Sequence, residues 1–169
     1  MGKSGGRLII VCGLPGAGKT TMARRLAERS GGTLYSPDDW MDALSINLWD
    51  SAKRDAIEQL QWQAARDVLR LGGTAIIEWG TWARAERDTL REGARKLGAA
   101  VELIYLSAPV EVLHDRIQRR GRENPPITRQ MLEESTASFE PPTSEELALY
   151  DSPTEVQPQG PSQPSVSLS

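Results

Sequence analysis

An α/β fold, built on a mostly parallel sheet covered on both faces, is predicted by three observations. Short apolar runs alternate with stretches of helical periodicity along the chain, the pattern of strands joined by crossover helices. Glycines fall where one kind of segment gives way to the next, as turn chemistry requires. The 169 residues suffice for one domain with one sizeable core.

The first strand is "RLIIVC" (7–12), a short apolar run closed by Gly13. A helix is predicted from Gly18 to about Arg29, stopped by Gly31 and Gly32. "TLYS" (33–36) is a brief second strand. "SPDDWMDAL" then starts a helix: Ser36 can cap it, Pro37 sits at the first helical position, and Asp39 falls three after the cap. Residues 52–71 form an amphipathic helix, with Ile57, Leu60, Ala64, Val68 and Leu71 on its apolar stripe. "TAIIEW" (74–79) is the third strand, 83–97 a charged helix ended by Gly98, and "VELIYLS" (101–107) the fourth strand. A helix from about Pro109 to Arg120 is interrupted by "GRENPP" (121–126) and resumes over 128–139. The first 150 residues thus read as one domain. The Ser-, Pro- and Gln-rich segment 151–169 reads as a disordered tail, with a short edge strand an option around Asp151–Val156.

The net charge of −3 argues against a dedicated nucleic-acid binder, which carries a basic surface. The single cysteine, Cys12, allows no internal disulfide. No apolar run reaches the length of a membrane span, and the N-terminus lacks the layout of a signal peptide. "MGKSGG" begins like a myristoylation signal, but Gly6 stands where Ser or Thr is wanted. The expectation is a soluble protein of the reducing cytoplasm. Oligomeric state is not readable.

Gly13, Gly18, Lys19 and Thr20 match G-x-x-x-x-G-K-[ST], between a strand and a helix. Glycines let backbone N–H groups turn inward on phosphate oxygens, and the helix that follows offers its N-terminal dipole to an anion. The loop Gly13, Leu14, Pro15, Gly16, Ala17 and Gly18, with Lys19, Thr20 and Thr21, is therefore the expected nucleotide cradle. Lys19 supplies charge to the β and γ phosphates, and the Thr20 hydroxyl suits Mg²⁺.

"SPDDW" puts Asp38 and Asp39 just past a strand end, the rim where open parallel sheets bind ligands. Phosphoryl transfer to an alcohol needs one carboxylate to take the acceptor's proton. Asp38 is the first candidate and Glu78, ending the third strand, the second. Asp39 suits a capping box and can also support Mg²⁺ through water. Arg116 and Arg120 share a helix face just before a Gly and Pro break, an arrangement suited to a lid over a triphosphate, at about 116–127. Arg84, Arg87, Arg91 and Arg95, interleaved with acids, read instead as a solvated, ion-paired face. Trp40, Trp79 and Trp82 follow strand ends, and Trp40 and Trp82 are the candidates to stack on an acceptor. Trp62 lies off its helix's stripe and should pack on a neighbouring helix. The lone histidine, His114, has no partner at metal-ligand spacing.

Together "GLPGAGKTT", "SPDDW", "IIEWGTWARAERD" and "DRIQRRG" resemble the small P-loop kinases. That group includes the 5′-hydroxyl kinase domain of phage polynucleotide kinase, chloramphenicol phosphotransferase and the zeta toxins. The resemblance covers about residues 7 to 140. It implies a three-layer P-loop fold with strand order 2-3-1-4, a further strand after it being optional, and a helical lid. It also implies ATP and Mg²⁺ as cofactors, Asp38 as general base, Lys19 and Thr20 as phosphate and magnesium residues, and Arg116 and Arg120 as lid arginines. Where the polynucleotide kinase pattern has an arginine that helps hold the acceptor phosphate, this chain has Met41.

The expected activity is transfer of phosphate from ATP to a hydroxyl of a small molecule, such as a natural product, antibiotic or metabolite. Alternatives are a polynucleotide 5′-hydroxyl kinase, and an ATP-binding switch or resistance protein that hydrolyses ATP slowly and has no acceptor.

Overall fold

Leu8, Ile9, Ile10 and Val11 are all fully buried, because their strand lies inside the sheet with helices on either side. The structure is a computed structural model that describes residues 5–154. Its sheet contains β1 (Arg7–Cys12), β2 (Thr33–Tyr35), β3 (Thr74–Gly80) and β4 (Ala100–Tyr105). The strands lie in the order β2-β3-β1-β4 and every pairing is parallel, as the resemblance implied.

The seven helices among the described residues are α1 (Lys19–Ser30), α2 (Pro37–Ala43), α3 (Ser51–Arg70), α4 (Arg84–Lys96), α5 (Val110–Arg120), α6 (Arg129–Ser138) and α7 (Ser144–Leu147). Strand periodicity divides the core in two. Leu8, Ile10, Ala75, Ile77, Val101 and Leu103 face α3 and α4, where Ala65, Leu69, Leu90 and Ala94 complete one cluster. Ile9, Val11, Ile76 and Ile104 face Ala23 and Leu26 of α1. A third cluster joins α5 and α6 through Leu113, Ile117 and Leu132 and reaches Ala17 in the glycine-rich loop. Cys12 is fully buried, and burial pushes its thiol up to about 11, so it packs rather than reacts.

Three expectations require correction. The buried stripe of α3 is Ile57, Gln61, Ala65 and Leu69, while Leu60 and Leu71 are exposed. The shift follows from Gln61, whose buried side chain accepts a hydrogen bond from Trp79 Nε1 at 2.8 Å. Ser36 is the residue before α2, but its side chain makes no capping bond. Of the optional edge strand around 151–156, residues 151–154 form no strand and 155–156 lie outside the described residues. The free edge of β4 is instead met by Asp151, whose N–H donates to Val101 O at 2.8 Å and whose carboxylate accepts from Val101 N at 2.7 Å. Side-chain occupation of an edge blocks further strand pairing. Trp62 does pack on α4, against Gly93. The segments 1–4 and 155–169, including most of the predicted tail, lie outside the described residues.

Candidate active site

The parallel sheet brings the carboxyl ends of β1, β2 and β3 to one rim, and the candidate residues follow from that. The loop after β1 is held by close backbone contacts. A Cβ at Gly13 would lie 2.4 Å from Leu106 O, and one at Gly16 2.7 Å from Leu113 O, both at positive φ; only glycine fits such positions. Gly18, in the left-handed conformation, precedes α1, so the first N–H groups of that helix, without intrahelical partners, face the loop. Lys19 Nζ donates to Leu14 O at 2.9 Å. Burial pushes the Lys19 ammonium below its ordinary value, while Glu78 and Asp38 act in the opposite direction. An incoming polyphosphate would act in that same direction, favouring the charged form.

Thr20 Oγ1 donates to Glu78 Oε1 at 2.8 Å. Glu78 ends up beside α1 because β1 and β3 are neighbours in the sheet. Its other oxygen, Oε2, is buried without a hydrogen bond. Burial raises Glu78 above the ordinary carboxylate value, and the Thr20 hydrogen bond and the Lys19 charge pull it back. A threonine hydroxyl beside an unsatisfied buried carboxylate oxygen is a hard-oxygen donor set that fits Mg²⁺. Among the described residues no group of three or more His, Cys, Asp or Glu could hold a metal, so the remaining ligands would come from nucleotide and water.

Asp38 and Lys19 line the same cleft. Asp38 is gripped by Arg54 of α3, whose Nη2 donates to Asp38 Oδ1. Asp39, expected at a capping box, makes none: α2 has no side-chain cap. It accepts from Arg24 at 3.3 Å and from Arg122 at 2.8 Å. The partner of Thr20 is Glu78. Sequence spacing could not show this, because the pair is 58 residues apart.

Arg116 Nη1 donates to Gly16 O at 3.1 Å, tying α5 to the glycine-rich loop. Arg120 also lines the cleft and is paired with Glu123 at 2.5 Å. Arg122 reaches across to Asp42 at 2.7 Å as well as to Asp39, and Trp49 Nε1 donates to Pro125 O at 2.8 Å. The segment between α5 and α6 thereby crosses to α2 and the loop after it. The cleft beneath has a volume of about 1040 Å³ and is lined by Trp49, Trp79 and Trp82. Trp40 is exposed and lies outside that lining; on α2 the inward position is taken by Met41, which is fully buried.

The predicted solvated stripe of α4 is wrong at its centre. Arg87 is fully buried. It donates to Glu146 of α7 at 2.6 and 2.9 Å, to Thr81 O at 2.9 Å and to Glu140 O at 2.8 Å. Glu140 N–H in turn donates to Trp82 O at 3.0 Å. This network fixes the turn after β3 from which Trp82 enters the cleft.

Glu58 of α3 is raised to about 7 by burial, eased by Arg54 and worsened by Asp55, Glu86 and Asp38. Between its ordinary value of 4.5 and 7 the folded chain binds the extra proton, so stability contributed at this site falls as pH rises through that window. Glu58→Gln is expected to flatten this fall and to gain about 1–2 kcal/mol over the parent at pH 8, with no gain at pH 4.5. Urea unfolding at the two pH values checks it.

The AAA_33 family model, described as an AAA domain, matches residues 8–142. An uncharacterized protein of Mycobacterium tuberculosis is 32% identical over 142 residues, covering 74% of this chain and 28% of that protein. The chain thus spans 28% of the length of such relatives. Shikimate kinase of Symbiobacterium thermophilum is 29% identical over 130 residues, covering 70% of this chain and 68% of the kinase. Gluconokinase of Gluconobacter oxydans is 26% identical over 150 residues, covering 85% and 80%. A chain of the Pnkp1/Rnl/Hen1 RNA repair complex matches with a TM-score of 0.69 at 18% identity, over 89% of this chain and 48% of that one. Chaetomium thermophilum Kti12 in complex with ADP-AlF3 matches at 0.63 with 23% identity, over 82% of both chains. At these identities the structural likeness is one of fold. No helix among the described residues is long and apolar enough to cross a membrane.

Proposed function

Because this chain belongs to the AAA_33 family of AAA domains and has the fold of the small P-loop kinases, we propose that it is an ATP-dependent phosphotransferase acting on a hydroxyl of a small molecule. The observation that carries this reading is the placement of Asp38 and Lys19 in one cleft, a carboxylate facing the phosphate loop. The cleft volume, about 1040 Å³, lies at the upper end for a single small ligand and accommodates a nucleotide with an acceptor. The identity of relatives named as shikimate kinase and gluconokinase supports small alcohols as the acceptor class.

In this mechanism the loop N–H groups and Lys19 hold the β and γ phosphates. Thr20 and Glu78 are the residues to hold Mg²⁺, which when bound neutralises phosphate charge. The acceptor oxygen attacks the γ-phosphorus while Asp38 Oδ takes its proton. The new O–P bond forms as the bond to the β–γ bridging oxygen breaks, and ADP leaves with that electron pair. Arg116 and Arg120 spread the charge of the transferring group. The segment 116–127 serves as the lid that excludes water. The AAA-domain chain is incubated with γ-labelled ATP and a panel of small alcohols, and products are read by mass. One acceptor gaining a single phosphate is expected. Slow release of inorganic phosphate with no acceptor gaining mass would show a nucleotide switch instead.

A further inference from the structure

The geometry points to an acceptor that differs from the carboxylates in the names of the two kinase relatives: a ring-bearing alcohol without an anionic group, stacked on the indoles of the cleft. This rests on the kinase reading, which gives Asp38 the role of base and so keeps it in the site as a carboxylate.

Three tryptophans line the cleft, Trp49, Trp79 and Trp82. Two have their N–H groups already committed, Trp49 to Pro125 O and Trp79 to Gln61 Oε1, each at 2.8 Å. Those hydrogen bonds hold the rings in place; Trp79 also packs against the core, so the exposed Trp49 offers the freer ring face to a ligand. A fixed indole face binds the C–H face of a sugar ring or an aromatic ring at little entropic cost.

Five arginines line the cleft; Arg116, bonded to a backbone carbonyl, and Arg120 are the two that the proposed mechanism gives to the transferring phosphoryl, and the other three offer no unpaired cation to a carboxylate or phosphate on the acceptor. Beyond the phosphate loop, the lining arginines Arg24, Arg54 and Arg122 each hold an aspartate. An anionic acceptor would have to displace those carboxylates and then sit beside them unpaired, a costly exchange in a partly desolvated site. Glu134, which also lines the cleft, has Gln130 rather than a cation as its neighbour and adds to the repulsion. Ser51, Ser135 and Ser138 on the same wall offer neutral partners to ring hydroxyls.

Matched probes separate the terms. Phenyl β-D-glucopyranoside and phenyl β-D-glucuronide differ by one carboxylate on the same ring. Each is titrated calorimetrically into the protein in the presence of Mg²⁺ and a non-hydrolysable ATP analogue. The glucoside is expected to bind at least tenfold tighter than the glucuronide. Trp49→Ala, at an exposed position, should weaken the glucoside about 3- to 10-fold. Equal or tighter binding of the glucuronide overturns the inference, as does heat from neither probe. Because binding is read without turnover, these outcomes are independent of whether phosphate is transferred. A carboxylate-bearing acceptor that gains phosphate would leave the kinase reading standing and remove this one.

Discussion

Asp38→Asn is expected to leave nucleotide affinity within a few-fold of the parent and to lower phosphoryl transfer by about 10²–10⁴. The substitution keeps the size of the side chain and its hydrogen bond from Arg54, so α2 and the start of α3 stay in place. What is lost is the negative oxygen that accepts the hydroxyl proton. In the proposed mechanism the nucleotide contacts belong to the loop after β1, to Lys19 and to Thr20; the change removes a charge that acts on Lys19 but none of these contacts, hence a few-fold effect on binding at most. Single-turnover transfer and binding of a fluorescent ATP analogue are the two measurements. Transfer at the parent's rate would remove Asp38 as the base and leave Glu78, which sits beside Thr20, as the remaining carboxylate.

Arg87→Leu is expected to destabilise the fold by about 3–5 kcal/mol, a drop in Tm of about 10 °C for a domain of this size. Arg87 and Glu146 have side chains 0% and 1% exposed. Removing the guanidinium strands a buried carboxylate and frees the carbonyls of Thr81 and Glu140. Unpaired buried groups cost far more than the net worth of the pair. The double variant Arg87→Leu with Glu146→Leu should therefore recover part of the loss, since it removes both charges. Thermal melts of the three proteins decide it; a single variant melting with the parent would show the pair to be idle.

Features set by local backbone chemistry were legible in the sequence. The loop from Gly13 to Gly18 needs positive φ at Gly13, Gly16 and Gly18, and a demand on φ is written in the residue type itself. β1 reads as buried because it is apolar at every position from Leu8 to Cys12. Features set by distant partners were not legible. Arg87 stands at helical spacing with three other arginines, so it reads as surface, and its partner lies 59 residues away. Asp39 reads as a capping acid because nothing in "SPDDW" reveals Arg122, 83 residues downstream. Gln61 displaced the apolar stripe of α3 because a polar residue becomes a core residue once Trp79 supplies its hydrogen bond.

In the proposed mechanism the strap between α5 and α6 is the lid over the cleft. Arg122 on Asp39 and Asp42, and Trp49 on Pro125, fasten it from the outside. Arg122 keeps 18% of its side chain exposed and its two aspartates 35% and 48%, so these are partly exposed pairs, each worth on the order of 1 kcal/mol, a fastening weak enough to open. Dissolved salt weakens such pairs, so if the strap acts as proposed, raised ionic strength is expected to speed entry and exit while the sheet beneath stays indifferent to it.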